Sequence, residues 1–99
     1  MESFKRKITK SGTVFAITIP SDVVYRLGIA KGSNVLIEIR YNNEVLYRDV
    51  KKVSAVGKQL AIILPKRKAF DKIWTLLYEK GVYVDVSIDT VDNVMGNVS

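Results

Sequence analysis

The stretch Lys7-Ile-Thr-Lys-Ser-Gly-Thr-Val-Phe-Ala-Ile-Thr-Ile-Pro20 returns 45 residues later as Lys52-Val-Ser-Ala-Val-Gly-Lys-Gln-Leu-Ala-Ile-Ile-Leu-Pro65. Five of the 14 aligned positions are identical: Lys7 with Lys52, Gly12 with Gly57, Ala16 with Ala61, Ile17 with Ile62 and Pro20 with Pro65. Ile8/Val53, Thr9/Ser54, Phe15/Leu60 and Ile19/Leu64 keep their chemical type. Downstream the similarity resumes at an offset of 49, where Lys31-Gly32 meets Lys80-Gly81 and Val35, Ile37 and Ile39 meet Val84, Val86 and Ile88. The offset has grown by about one helical turn between the proline and the Lys-Gly pair, so the second copy reads as the same unit with its helix extended by a turn.

Each copy has the same anatomy. A short basic strand, about residues 5 to 10 and 51 to 55, reaches a glycine turn. A second strand, about residues 13 to 19 and 58 to 64, then alternates Phe15, Ile17 and Ile19, or Leu60, Ile62 and Leu64, on one face. Proline ends that strand and suits the start of a helix. In the first copy Ser21 is placed to cap a short helix, Asp22 sits in its first turn, and Val23, Val24 and Leu27 form its apolar stripe before Gly28. In the second copy Phe70, Ile73, Trp74 and Leu77 recur at helical spacing over about fourteen residues, with Gly81 at the end. Further strands follow each Lys-Gly turn, at about residues 35 to 41 and 82 to 88. Asn42-Asn43, both tolerant of positive φ, turn the first copy into a hairpin strand, about residues 44 to 50, that runs straight into the second copy. No flexible linker separates the copies, so the expectation is one domain over residues 1–99. It consists of a first repeat at 5–50, a second, diverged repeat at 51–89, and a short polar tail at 90–99 that is poorly ordered or adds one edge strand.

Composition bounds the function. The chain has 99 residues, 47% apolar and 26% charged, an ordinary globular balance. It has neither cysteine nor histidine. Disulfides, thiolate chemistry and the common transition-metal sites are therefore excluded, and packing alone must hold the fold. No Asp/Glu pair has a catalytic spacing and the glycines form no nucleotide-cradling loop, so neither an enzyme nor a bound cofactor or metal is expected. No apolar run approaches a membrane span and no leader pattern follows the charged start, so a cytoplasmic location is expected. Sixteen Lys and Arg against ten Asp and Glu give a net charge of +6, a field that attracts polyanions. The charge is segregated. Residues 3 to 21 hold Lys5, Arg6, Lys7 and Lys10 with no acid, and residues 50 to 70 hold Lys51, Lys52, Lys58, Lys66, Arg67 and Lys68 with no acid.

The two Gly-to-Pro segments, each after a basic strand, resemble the opening motif of the AbrB and MazE family of swapped-hairpin DNA-binding proteins. Leu27-Gly-Ile-Ala-Lys-Gly-Ser-Asn-Val-Leu-Ile-Glu-Ile39 is similar to that family's helix end, turn and third strand. The resemblance covers most of residues 5 to 50 and, more loosely, 51 to 89. It implies a mainly β fold with two short helices, a swapped-hairpin barrel that two protomers normally build together. With two units in one chain, the barrel would be a pseudo-dimer formed from an internal duplication. It also implies binding to double-stranded DNA, typically as a nucleoid-associated transcriptional regulator. The alternatives are a protein-interaction module such as the antitoxin of a toxin-antitoxin pair, against which the short tail counts, or a general chromatin-coating protein. A homodimer of complete barrels is compatible with this reading.

Phosphates are contacted mainly by Lys, Arg, small hydroxyl side chains and free backbone amides. Carried over position by position, the family's DNA-facing strand and glycine loop fall on Lys5, Arg6, Lys7, Lys10, Ser11, Gly12 and Thr13. In the second copy they fall on Lys51, Lys52, Gly57, Lys58 and Gln59. Arg6 is the candidate for guanine edges, because its fork pairs with two acceptors. Gly12 and Gly57 also read as plain turn glycines. Lys66, Arg67 and Lys68 follow Pro65 and so fall in the first turn of the second helix, where cations oppose the helix dipole. Their use is then expected to lie in gripping phosphate rather than in stability. Of the aromatics Tyr25, Tyr41, Tyr47, Tyr78, Tyr83 and Trp74, most read as core or interface residues rather than stacking platforms for single-stranded bases. Arg26, Arg40 and Arg48 lie outside the basic runs and take no role.

Overall fold

Residues 1–91 are described in a computed structural model of the chain. The elements run β1 (Glu2–Lys7), β2 (Thr9–Ser11), β3 (Val14–Thr18), α1 (Ser21–Leu27), β4 (Asn34–Tyr41), β5 (Glu44–Lys52), β6 (Ser54–Val56), β7 (Gln59–Ile63), α2 (Lys68–Lys80) and β8 (Tyr83–Thr90). The fold is mainly β with two helices, as expected. The expected polar tail lies, apart from its first two residues, outside the described residues.

The single basic strand expected in each copy is in fact two strands in different sheets. The chain bends at Ile8 and at Val53, both buried, and passes from a four-stranded sheet of order β1-β8-β4-β5 into a second of order β2-β3-β7-β6. Ile8 and Val53 keep the in-out alternation of the strand before them, and the break comes just after, where Lys10 and Ala55 are exposed at positions that one continuous strand would turn inward. Val53 is pinned there by two backbone hydrogen bonds, donating to the Ser33 carbonyl and accepting from Gly32 N–H, each at 2.8 Å.

All strand pairs are antiparallel, and the turns follow from residue type. Ser11 pairs with Val14 and Val56 with Gln59, so each hairpin is closed by two residues, of which the first, Gly12 or Gly57, has φ +62°. Asn42 and Asn43, at φ 50° and 66°, close the β4–β5 hairpin as a two-residue turn with both central residues left-handed. The registers correspond between the copies. Arg6 pairs with Val84 as Lys51 pairs with Val35, Lys7 with Tyr83 as Lys52 with Asn34, and Ser3 with Ser87 as Arg48 with Glu38. Ile17 opposes Ile62 at the middle of the β3–β7 pair. Beyond that pair, Ile19 N–H donates to the Leu60 carbonyl and Leu64 N–H to the Phe15 carbonyl, both at 2.9 Å.

The helices correct three expectations. First, Ser21 does not cap α1. Pro20, at φ −57° and ψ 141°, takes the boundary position and its carbonyl accepts from Val24 N–H, which moves Ser21 into the helix. Second, the difference between the copies is not a single added turn of helix. α1 has 7 residues and α2 has 13. The matched helix stops are Gly28 and Gly81, both left-handed, while Gly32 lies in the turn before β4. The six added helical residues and a longer approach to α2 are partly offset by a shorter passage from α2 to β8. Third, Lys66 and Arg67 are not in the first turn of α2, which starts at Lys68 with Arg67 at the boundary. A helix starting at Lys66 would draw the Pro65 carbonyl into its backbone ladder. That carbonyl instead accepts Trp74 Nε1–H at 3.2 Å, and the first helical bond runs from Asp71 N–H to Arg67.

One apolar cluster draws on both sheets and both helices, with Ile17, Ile37, Ile39, Ile62, Ile88 and Trp74 fully buried, and no polar or charged residue is buried among the described residues. The Phe15, Ile17, Ile19 face is buried as expected, whereas Leu60 in the second copy is only half-buried. The helices are held differently. Arg26 ties α1 to β1 through Glu2 at 2.7 Å and also reaches Asp22 at 3.1 Å. α2 is held by aromatic packing, with Tyr47 edge-on to Phe70 and Trp74, which stack on each other at 5.8 Å between centroids.

Candidate nucleic-acid interface

Each hairpin tip of one copy lies against the start of the other copy's helix. Lys66 Nζ, ahead of α2, donates to Thr13 Oγ1 at the β2–β3 tip across 3.2 Å. These two residues line a cleft with Lys10, Phe15, Asp71 and Thr75. The tip of the β6–β7 hairpin supplies Lys58 and Gln59 to a second cleft, lined also by Arg6 from β1 and by Ser21 and Asp22 at the start of α1. Residues more than forty positions apart in the sequence thus meet, and each cleft takes cations from the acid-free runs.

In and around these clefts the side chains are differently constrained. Arg6 is half-buried, and its Nε donates to the Thr18 carbonyl at 3.2 Å, which fixes the guanidinium plane and leaves its terminal nitrogens for another partner. Lys51, half-buried at the corresponding register on β5, lacks such a fork. Lys10 Nζ sits 5.4 Å from the Phe15 ring centroid and Lys7 Nζ 5.1 Å from that of Tyr83. Ser11, Gly12 and Gly57 are exposed at or beside the tips, and a Cβ on either glycine would meet nothing within 4 Å.

Ion pairing divides the cations. Lys5 points from the outer face of its sheet to Asp85 at 3.7 Å, and Arg40 pairs with Glu38 at 3.2 Å. Lys5, expected at the interface, is therefore set apart from the clefts and partly neutralised. Among the described residues Arg6, Lys7, Lys10, Lys51, Lys52, Lys58, Lys66, Arg67 and Lys68 have no carboxylate oxygen within 4.0 Å. Lys68 alone of the last three lies in α2, with Asp71 in the same first turn.

Most of the six aromatics pack as expected, and Tyr78, though 41% exposed, sets its ring 5.7 Å from that of Phe15. Trp74 and Tyr47 are buried and Tyr41 is partly so, but Tyr25, Tyr83 and Tyr78 are exposed. Tyr25 is 87% exposed, on a helix whose buried residue is Val23. The two-residue spacing from Val23, which puts Tyr25 well around the helix from it, is the sequence signal that could have placed it outside. Arg26 gained no role from the sequence: its shorter contact is to Glu2 on another element, and only the i,i+4 spacing from Asp22 on its own helix could have signalled an ion pair. At Tyr47, burial and a hydrogen bond to Asp49 Oδ2 at 3.1 Å push the hydroxyl up to about 12, against a smaller opposing effect of the Arg67 guanidinium.

Comparison with family models, with curated proteins and with solved structures gave no match. Among the described residues no helix is long and apolar enough to cross a membrane.

Proposed function

We propose that the chain is a double-stranded DNA-binding protein, a nucleoid-associated transcriptional regulator of AbrB type. In this reading its swapped-hairpin barrel is completed within one polypeptide as a pseudo-dimer of two repeats. The support for duplication lies in the register correspondence. β1 pairs with β8 and β5 with β4, and the residue partners match position by position at the sequence offsets of 45 and 49. Both sheet orders read the same from either end when the copies are exchanged.

One observation carries the functional reading: among the described residues, nine of the ten cations in the two acid-free runs have no carboxylate within 4.0 Å, and several of them meet at the two tip-to-helix clefts. An unpaired lysine gives up no partner when it meets a phosphate, and it releases a condensed counterion from the duplex. The hydroxyls of Ser11, Thr13 and Ser21 and the amide of Gln59 add neutral donors of the kind that fix register on a backbone.

Fluorescence anisotropy with labelled duplex DNA across a salt series tests the reading. If roughly five phosphates are neutralised, log affinity falls against log salt with a slope of about −4 to −5. Salt-insensitive binding, or retention of a protein partner with no retention of duplex at moderate salt, overturns it.

A further inference from the structure

The two clefts are reciprocal in one respect and unlike in another. Thr13 at one tip answers to Lys58 at the other, and Ser21 at one helix start answers to Lys66 at the other, each pair 45 residues apart. One cleft therefore joins a tip hydroxyl to a helix-start ammonium, Thr13 with Lys66 at 3.2 Å. The other places a tip ammonium and a helix-start hydroxyl, Lys58 and Ser21, on one lining. The exchange puts a lysine and a hydroxyl, groups that donate to phosphate oxygens, in both clefts, and the first cleft adds Lys10 and Thr75. Donors suited to the backbone are therefore present on both sides.

The groups able to read bases are not equivalent. Arg6, paired in register with Val84, answers to Lys51, paired with Val35. With its Nε already given to the Thr18 carbonyl, Arg6 presents two terminal nitrogens in a fixed plane, the geometry that matches the O6 and N7 acceptors of guanine. Lys51 is a single ammonium on a rotating stem and cannot make a planar two-point match. The asymmetry extends along the hairpins, where polar Lys10 and Ser11 answer to apolar Ala55 and Val56.

We propose that the duplex is bound in a single orientation, with guanine required on the Arg6 side and no base requirement on the Lys51 side. The inference rests on the duplex-binding reading and adds to it a polarity set by one residue pair. Selection from random duplexes with the wild type, Arg6→Lys and Lys51→Arg tests it, with thermal melts verifying that each variant folds. The wild type should return a one-sided motif in which replacing the guanine weakens binding roughly 5- to 150-fold. Arg6→Lys should flatten that motif by bringing binding of guanine-containing sites down toward that of other duplexes, and Lys51→Arg should add a second guanine and make the motif closer to a palindrome. Lys51→Arg keeps the test open if Arg6→Lys fails to fold. A palindromic or featureless wild-type motif, or a guanine preference that survives Arg6→Lys, overturns the single orientation while leaving DNA binding intact. Failure of every variant to retain any duplex at low salt overturns the binding reading itself.

Discussion

Ile17 and Ile62 are direct register partners between β3 and β7, each fully buried, and they hold matching positions in the two similar stretches of sequence, 7–20 and 52–65. The centre of the core is therefore supplied by two distant stretches of one chain. The same holds for β1 with β8 and for β4 with β8. Because these pairings are intramolecular, the midpoint of thermal unfolding should not move when the protein is diluted over a wide range. Sedimentation should give a compact monomer, or a dimer of complete units that keeps its secondary structure on dissociation. Second-order unfolding on dilution would mean that each chain needs a partner to close its core.

Tyr47 makes stability depend on alkaline pH. Burial first, and then the hydrogen bond to Asp49, raise its hydroxyl from an ordinary value of 10.0 to about 12. The folded state then holds a proton that the unfolded state releases between these values. The contribution is complete below about pH 10 and is lost as pH rises through about 12. Denaturant titrations of the wild type and Tyr47→Phe should show the wild type losing stability more steeply than the variant in that window. Parallel curves would contradict the assignment.

The order of elements was legible from the sequence because strand alternation, proline and positive-φ turn residues are local signals. Phe15-Ala-Ile-Thr-Ile19 announces its buried face, and Asn42-Asn43 its turn. The change of sheet at Ile8 and Val53 was not legible, since an isoleucine or valine reads the same inside a continuous strand as at a buried bend. The helix boundary at Arg67 was missed for a similar reason: it depends on Trp74 Nε1 claiming the Pro65 carbonyl, a contact nine residues away. Of the candidate site, the residue types came from the charge runs. Which residues meet came only from the cross-copy pairing that brings Lys66 to Thr13 and Lys58 to the cleft of Arg6.

Gly12 and Gly57 separate turn chemistry from backbone approach to DNA. Both have φ +62° and open space where a Cβ would go, so alanine at either meets backbone strain and no clash. Each substitution should cost about 1 kcal/mol, measured by denaturant unfolding. If phosphate approaches these tips, affinity for duplex DNA should also fall beyond what the stability loss explains, because a methyl group then stands between the backbone amide and its partner. Unchanged affinity in a folded Gly12→Ala or Gly57→Ala protein would assign the glycines to the turns alone.

Lys66 and Arg67 offer a variant in which stability and binding should move in opposite directions. Arg67 holds the boundary position of α2 without a side-chain cap, and the following Lys68 sits in the first turn against the positive end of the helix dipole. Arg67→Asp puts a carboxylate where it can accept from the free amides of the first turn, and a side-chain cap of this kind is worth about 0.5 to 2 kcal/mol. Lys66→Ser removes the exposed hydrogen bond to Thr13, a smaller loss at a solvated position. The double variant should therefore unfold at a slightly higher denaturant concentration than the wild type. On duplex DNA it should bind all sequences more weakly and alike, with a salt slope shallower by about one to two, since the two removed cations each release about one counterion. A folded double variant with unchanged affinity and salt slope would return the cluster to the solvated surface, and a weakening confined to particular sequences would mean that these residues read bases rather than grip phosphate.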